Sequence, residues 1–317
     1  MQYDFYSEKE CSKWDQFLSD SFDGNFLHSR KFLSYHRDRF KDRSIIISSE
    51  KGDLLGILPL AEDLKDSEVL ISHPGSTYGG IIHSGNLRGE LMIEALNDIK
   101  SLLYRSGYKS MIYKPIPEIY KNPGISDDIY ALWLLGASCE RVDLTSCIKL
   151  ENRLKISSQR VRSLKKSNKI YHSINKDFEK IDQFWEILTE NLQKFNISPV
   201  HSLFEIKELA SKFSTEISLI TTEKNHSLTA GVLLFNFENV DHAQYIASSS
   251  EGHETSALDF IFDYCIKEAT SNNKDYFNFG ISTEENGRVL NQGLYSYKNG
   301  YGSGSALHYF YKLDLCD

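Results

Sequence analysis

The sequence predicts an α/β (α+β) chain made of two tandem domains of one fold, residues 1–150 and 151–317. Two observations carry this. Helical and strand patterns are interleaved along the chain, so each core is expected to be a sheet covered by helices. In addition, an ordered set of elements occurs twice. The length of 317 residues agrees, since it is about what two domains need.

The repeat is read directly. SIIISSEKGDLLGILPL at 44–60 and SLITTEKNHSLTAGVLLF at 218–235 both read strand, turn, strand. Glu50-Lys51 matches Glu223-Lys224, and Gly56-Ile57-Leu58 matches Gly231-Val232-Leu233. Each hairpin is followed by a Gly/Ser-rich strand exit, YGGIIHSG at 78–85 and YIASSSEG at 245–252. An amphipathic helix and a further strand then complete each unit.

Helical patterns fall at 8–20, 29–39, 88–106, 157–168, 177–195, 202–213 and 255–271. The clearest carries Leu91, Ile93, Leu96, Ile99, Leu102 and Leu103 near a 3.6 period. Short β-branched or aromatic runs bounded by turn residues predict strands, among them 44–49, 54–61, 79–83, 109–114, 169–174, 240–248, 275–280 and 305–313.

Composition narrows the class. Apolar residues are 40% and charged residues 25%, which is globular usage and excludes disorder and collagen-like structure. A net charge of -8 disfavours non-specific nucleic-acid binding, because a protein living on phosphate backbones is usually basic. The five cysteines (Cys11, Cys139, Cys147, Cys265 and Cys316) form no C-x-x-C pair, the usage of a reducing compartment. No signal peptide or bilayer-length apolar run is visible, so a cytoplasmic protein away from the membrane is expected.

Several chemistries drop out. G-x-x-x-x-G-K-[ST], H-E-x-x-H and G-x-S-x-G are missing, and no Cys/His spacing suits zinc, so no metal is expected. The glycine run 300–304 lies too near the carboxyl end to open a βαβ unit and reads as a turn. The loop SSSEGHETS at 248–256 is more informative. Thr255 or Ser256 can cap the helix that follows, and free N–H groups at such a helix start suit a pyrophosphate. The next strand runs into FNFGISTEENGRVLNQGL, where Ser282, Thr283, Glu284 and Asn291 follow an apolar strand end, a common place for ligands. Arg153, Lys155, Arg160, Arg162, Lys165, Lys166 and Lys169 form a basic run just past the domain junction.

Tyr78-Gly79-Gly80, the helix start Arg160-Val161-Arg162 and FNFGISTEENGRVLNQGLYSYKNGYG at 277–302 resemble the Fem-type branch of the GNAT superfamily. In that branch two acyl-CoA N-acyltransferase-like domains stand in tandem. With FLHSRKFLSYHRDRF at 26–40, the chain resembles the FdhC-type sugar N-acyltransferases. These acylate the amino group of a nucleotide-linked deoxysugar for bacterial lipopolysaccharide or capsule.

The resemblance implies two mixed, mostly antiparallel sheets, with a splayed strand pair at about 240–248 and 275–280. Acyl-CoA, a co-substrate, would lie between these strands on Tyr245, Ile246, Ala247, Ser248, Ser249, Gly252, Thr255 and Ser256. A backbone N–H there would polarise the thioester carbonyl. Glu284 is the first choice of base for the attacking amine, and His253 the second. Ser282, Thr283, Asn291, Lys298, Arg160 and Arg162 would bind the nucleotide-linked amino sugar, with Tyr78, Gly79 and Gly80 reaching it from the first domain. The loop departs from the family pattern, carrying Glu251 and Glu254 where Arg or Gln and several glycines are usual. That keeps two alternatives open: the related peptidyltransferases, which use aminoacyl-tRNA, and a non-catalytic binding module. The acyl chain, the sugar and the oligomeric state are not readable.

Overall fold

A computed structural model describes residues 1–121 and 124–316. The chain forms two compact units. The first comprises Met1–Asp143, Glu285–Arg288 and the described residues from Leu307 onward; the second comprises Leu144–Glu284 and Val289–Ala306.

The first unit holds an antiparallel sheet in the order Gln2–Phe5, Ile45–Ser48, Leu54–Leu58, Ile82–His83. Ile45, Ile46 and Ile47 are all buried, as expected of a strand covered on both faces. A second set of strands runs Ala61–Glu62, Val69–Ile71, Ser110–Tyr113 and then the C-terminal strand, whose Tyr311 and Leu313 pair with Tyr113 and Met111. Helix Glu90–Arg105 buries Met92, Ala95, Leu96, Ile99 and Leu103, a stripe at helical spacing. Leu91, expected in that stripe, is 47% exposed, and Met92 fills the core instead.

In this unit Ile82–His83 and Ser110–Tyr113 belong to separate sheets. Tyr113 sits at the break: its hydroxyl accepts from the Ile81 N–H (2.7 Å) and donates to Asp128 (2.9 Å). Gly79 N–H donates to the Lys114 carbonyl at 3.0 Å. The gap is closed by the chain's own groups.

The second unit orders its strands as residues 144–149, Tyr276–Ile281, Val240–Ser248, Ser227–Asn236 and Ile217–Lys224. All pairs are antiparallel except Val240–Ser248 with Tyr276–Ile281. Val232, Leu234, Phe277 and Phe279 meet Ile261, Phe262, Cys265 and Ile266 of helix Ala257–Ser271 in its core.

Three local expectations need correction. The helix expected at 29–39 is broken: Arg30–Leu33 is followed by a 3-10 segment in which Arg37 takes φ 50°. The strand expected at 169–174 does not form; only an isolated bridge, Asn175 to Thr221, joins this region to the sheet. The helix expected at 255–271 begins earlier, as Ser250–Thr255 and Ala257–Ser271 separated by Ser256 in a left-handed conformation.

Candidate active site

The site is built on the one parallel strand pair of the second unit. Pairing joins Val240 to Tyr276, Asp241 to Phe277 and His242 to Asn278, and the ladder ends there while both strands continue. Two local features separate them. Val240–Ser248 has a register shift against its other neighbour, Leu233 pairing with Tyr245 but Leu234 with Ala243, which leaves Gln244 as the extra residue of a bulge. Tyr276–Ile281 turns at Gly280, φ +79°, a conformation that favours glycine. The fully buried Asn278 fixes this turn, its Oδ1 accepting from Gly280 N–H (2.9 Å) and from the Thr145 hydroxyl (2.6 Å).

Lys298 is brought to the same place by helix Gln292–Asn299. Only 4% exposed, it donates through Nζ to the carbonyls of Gly280 (3.0 Å) and Ile281 (2.6 Å). Burial pulls its ammonium down to about 7. Such a lysine holds both protonation states at neutral pH. It can therefore donate to developing negative charge or pass a proton. Ser282, the residue after Ile281, is buried; its N–H donates to the Leu144 carbonyl, and its hydroxyl has no hydrogen-bond partner.

Thr283 and Glu284 pair with Leu290 and Val289 in a small hairpin. Glu284 is exposed and accepts from Asn291 Nδ2 at 2.7 Å, while Asn291 Oδ1 caps the Lys298 helix by accepting from Leu294 N–H. Ser282, Thr283, Glu284, Asn291 and Lys298 therefore form one constellation. His253 lies elsewhere, exposed on Ser250–Thr255.

The residues expected to hold the donor follow the splayed strand. Ala247 and Ser248 are buried, Ile246 is half-buried, and Ser248 N–H donates to Asn191 Oδ1 at 3.3 Å. Tyr245 is engaged through its hydroxyl with His201, whose Nδ1 is 2.7 Å away, and edge-on with Trp185. Ser249, not Thr255 or Ser256, caps the helix after this strand, accepting from Gly252 N–H at 3.1 Å. Thr255 donates to Glu251 O instead, and Ser256 makes no side-chain cap bond because its left-handed conformation separates the two helices. A Cβ on Gly252 would lie 2.2 Å from the Thr229 carbonyl, so glycine is required by a close backbone approach.

Arg160 is committed within the unit: Nη1 donates to both Asp259 oxygens (3.0 and 3.1 Å), and the guanidinium lies 4.7 Å from the Tyr297 ring centroid. Arg162 is exposed. In the first unit Tyr78 is 1% exposed, hydrogen-bonded to Asn25 and packed on Tyr120 at 4.9 Å. A Cβ on Gly79 would lie 2.7 Å from Ser72 O. The close approach Gly79 permits is to the protein's own backbone, while Gly80, at φ +89°, faces the Tyr113 hydroxyl, which a Cβ there would meet at 3.2 Å.

Sequence reasoning missed two features. One is a cleft of about 430 Å³ in the first unit, lined by Arg30, Lys31 and Arg37 together with Glu8, Asp15, Asp38 and Asp42. Its cations stand in the 26–40 segment, the only sequence signal for it. The other is Lys114, a buried lysine donating to His73 O and Ser76 O (2.6 Å each) and lowered to about 7 by burial and then by the nearby Arg141 charge. No spacing pattern marks it. Among the described residues no cluster of three or more His, Cys, Asp or Glu could hold a metal, and no helix is long and apolar enough to cross a membrane.

No family model matches the chain, and no curated protein matches it in sequence. Among solved structures it is similar to FemX, with TM-score 0.69 at 12% identity over 99% of this chain and 97% of that one. The C-terminal domain of a putative lysylphosphatidylglycerol synthetase from Agrobacterium fabrum gives TM-score 0.63 at 10% identity, covering 96% and 92%. A tandem GNAT protein from the clavulanic acid biosynthesis pathway gives 0.52 at 8%, covering 100% and 99%. At such identities the likeness defines the fold, which is that of tandem GNAT-like domains.

Proposed function

We propose that the protein is an N-acyltransferase that moves an acyl group from acyl-CoA to the amine of a nucleotide-linked amino-deoxysugar, as FdhC-type enzymes of bacterial surface polysaccharide synthesis do. The observation that carries the transfer is the splayed parallel pair with Lys298 buried at its opening. The pantetheine lies along residues 245–248, and the thioester carbonyl faces a backbone N–H of that strand. The amine attacks the carbonyl carbon, its proton passes to Glu284, and the coenzyme thiolate leaves and is reprotonated.

A second reading is supported by the likeness to FemX over nearly the whole chain: an aminoacyl-tRNA-dependent Fem-type peptidyltransferase. Calorimetric titration with acetyl-CoA, CoA and charged tRNA separates the two. Acyl-CoA is expected to bind with a dissociation constant on the order of micromolar to tens of micromolar. Heat with charged tRNA and none with acetyl-CoA or CoA would replace the first reading by the second.

A further inference from the structure

In the basic run past residue 150, Arg160 is committed to Asp259, and the transfer proposed above uses none of the other members. Helix Ser158–Ser167 carries Arg162, Lys165 and Lys166, and Lys169 stands in the turn that follows. Offsets of three and four residues place Lys165 and Lys166 on the same helix face as Arg162, and Lys169 follows in the turn at the end of that helix. All are exposed. Among the described residues no carboxylate pairs with Arg162, Lys165 or Lys169, although Arg160 and Lys180 nearby in sequence are paired. Lys166 donates to the backbone carbonyl of Glu254, so the stripe abuts the 249–256 turn.

That turn is where a GNAT-like fold offers a donor's phosphates to backbone N–H groups, and here it is acidic. Glu251 is neutralised by Lys224 at 2.5 Å, and Glu254 has its own carbonyl on Lys166. The turn brings no arginine of its own. Meanwhile, in a chain of net charge -8, Arg162, Lys165 and Lys169 stand beside that turn without a carboxylate partner among the described residues. Like charges at this spacing repel one another, so the stripe destabilises its own helix unless an anion covers it.

We propose that Arg162, Lys165, Lys166 and Lys169 form the phosphate-binding surface of the donor site, taking the 3′-phosphoadenosine diphosphate end of a coenzyme A thioester in place of the acidic turn. This rests on the acyl-CoA reading above. From Arg162 to Lys166 the stripe covers about 6 Å of helix axis, with Lys169 just beyond the helix end. That length suits one compact group of phosphates rather than a nucleic-acid track, where each retained phosphate contact needs further cations along the strand.

The test is calorimetry on the full chain with CoA, 3′-dephospho-CoA and 3′,5′-ADP at low and moderate salt. Variants are the triple Arg162→Gln/Lys165→Gln/Lys169→Gln and an equal-charge control, Lys9→Gln/Lys51→Gln/Lys65→Gln, also at exposed positions. The triple variant is expected to weaken CoA and 3′,5′-ADP at least tenfold, to flatten the salt dependence and to lose the preference for CoA over 3′-dephospho-CoA. The control is expected to bind as the unaltered protein does. Equal CoA affinity in the triple variant and the unaltered protein overturns the stripe and leaves the acyltransferase reading standing. No CoA binding by the unaltered protein overturns both. A triple variant that loses binding of tRNA while keeping CoA also overturns the proposal and assigns the surface to RNA.

Discussion

Asn291 joins Glu284 to the helix of Lys298: its Nδ2 donates to Glu284 Oε1 at 2.7 Å, and its Oδ1 accepts the Leu294 N–H that opens that helix. One side chain thus holds the exposed carboxylate and starts the segment that carries the buried lysine. This relationship depends on the hairpin Thr283–Glu284 to Val289–Leu290, which folds the sequence between them back on itself.

If Glu284 accepts the amine proton, Glu284→Gln keeps the oxygen that Asn291 binds and removes the base. Turnover with acetyl-CoA and an amino-sugar acceptor, followed by thiol release, is expected to fall about 10²–10⁴-fold with little change in substrate affinity. A rate near that of the unaltered protein at every pH would take Glu284 out of the mechanism and leave His253 or a water chain as the base.

Lys298 should make stability depend on pH. Its folded-state value is about 7 against an ordinary 10.5, so between these limits the unfolded chain binds the extra proton. Stability therefore rises as pH goes from 7 toward 10.5, and the full penalty stands below 7. Lys298→Met removes the penalty, by an amount on the order of a few kcal/mol at pH 7 and less at pH 9.5. Urea denaturation of both proteins at the two pH values checks this; a constant difference between them would show that Lys298 is not desolvated.

Arg160→Met leaves Asp259 buried without its cation. Asp259 is already raised by burial, with Arg160 holding it down, so the loss of Arg160 raises it further. Breaking one partner of a buried pair costs about 3–5 kcal/mol. A carboxyl whose folded value lies above its unfolded value gains stability as pH falls, so the deficit is expected to be smaller at pH 5 than at pH 8. A variant as stable as the unaltered protein, but weakened in substrate binding, would return Arg160 to the binding site.

Gly252→Ala places a methyl 2.2 Å from the Thr229 carbonyl. Because the neighbour is backbone, the turn or the strand must shift, at a cost of about 1–3 kcal/mol. Thermal unfolding is expected to show a clear drop in Tm. No change would mean that the 249–256 turn relaxes freely.

Sequence by itself determined the repeat, the interleaving and the principal elements. The reason is that these signals are local: continuous β-branched runs such as Ile45-Ile46-Ile47 with their turns, and the 3.6-period stripe of Leu96, Ile99 and Leu103, are legible within a few residues. The cluster of Ser282, Glu284 and Asn291 was legible too, because its members lie within one turn-rich segment. Tertiary structure alone decided where strand Gly304–Asp314 belongs. The residues of that strand follow the second half of the chain, yet Tyr311 and Leu313 pair with Tyr113 and Met111 of the first unit. It also decided that Lys298 is buried on two carbonyls, that Arg160 is consumed by Asp259, and that Tyr78 packs on Tyr120. Each of these depends on partners 17 to 99 residues away in sequence or in another strand's register. Local periodicity carries no information about such pairs, because long-range pairing is chosen by which faces bury together and not by the segment that is buried.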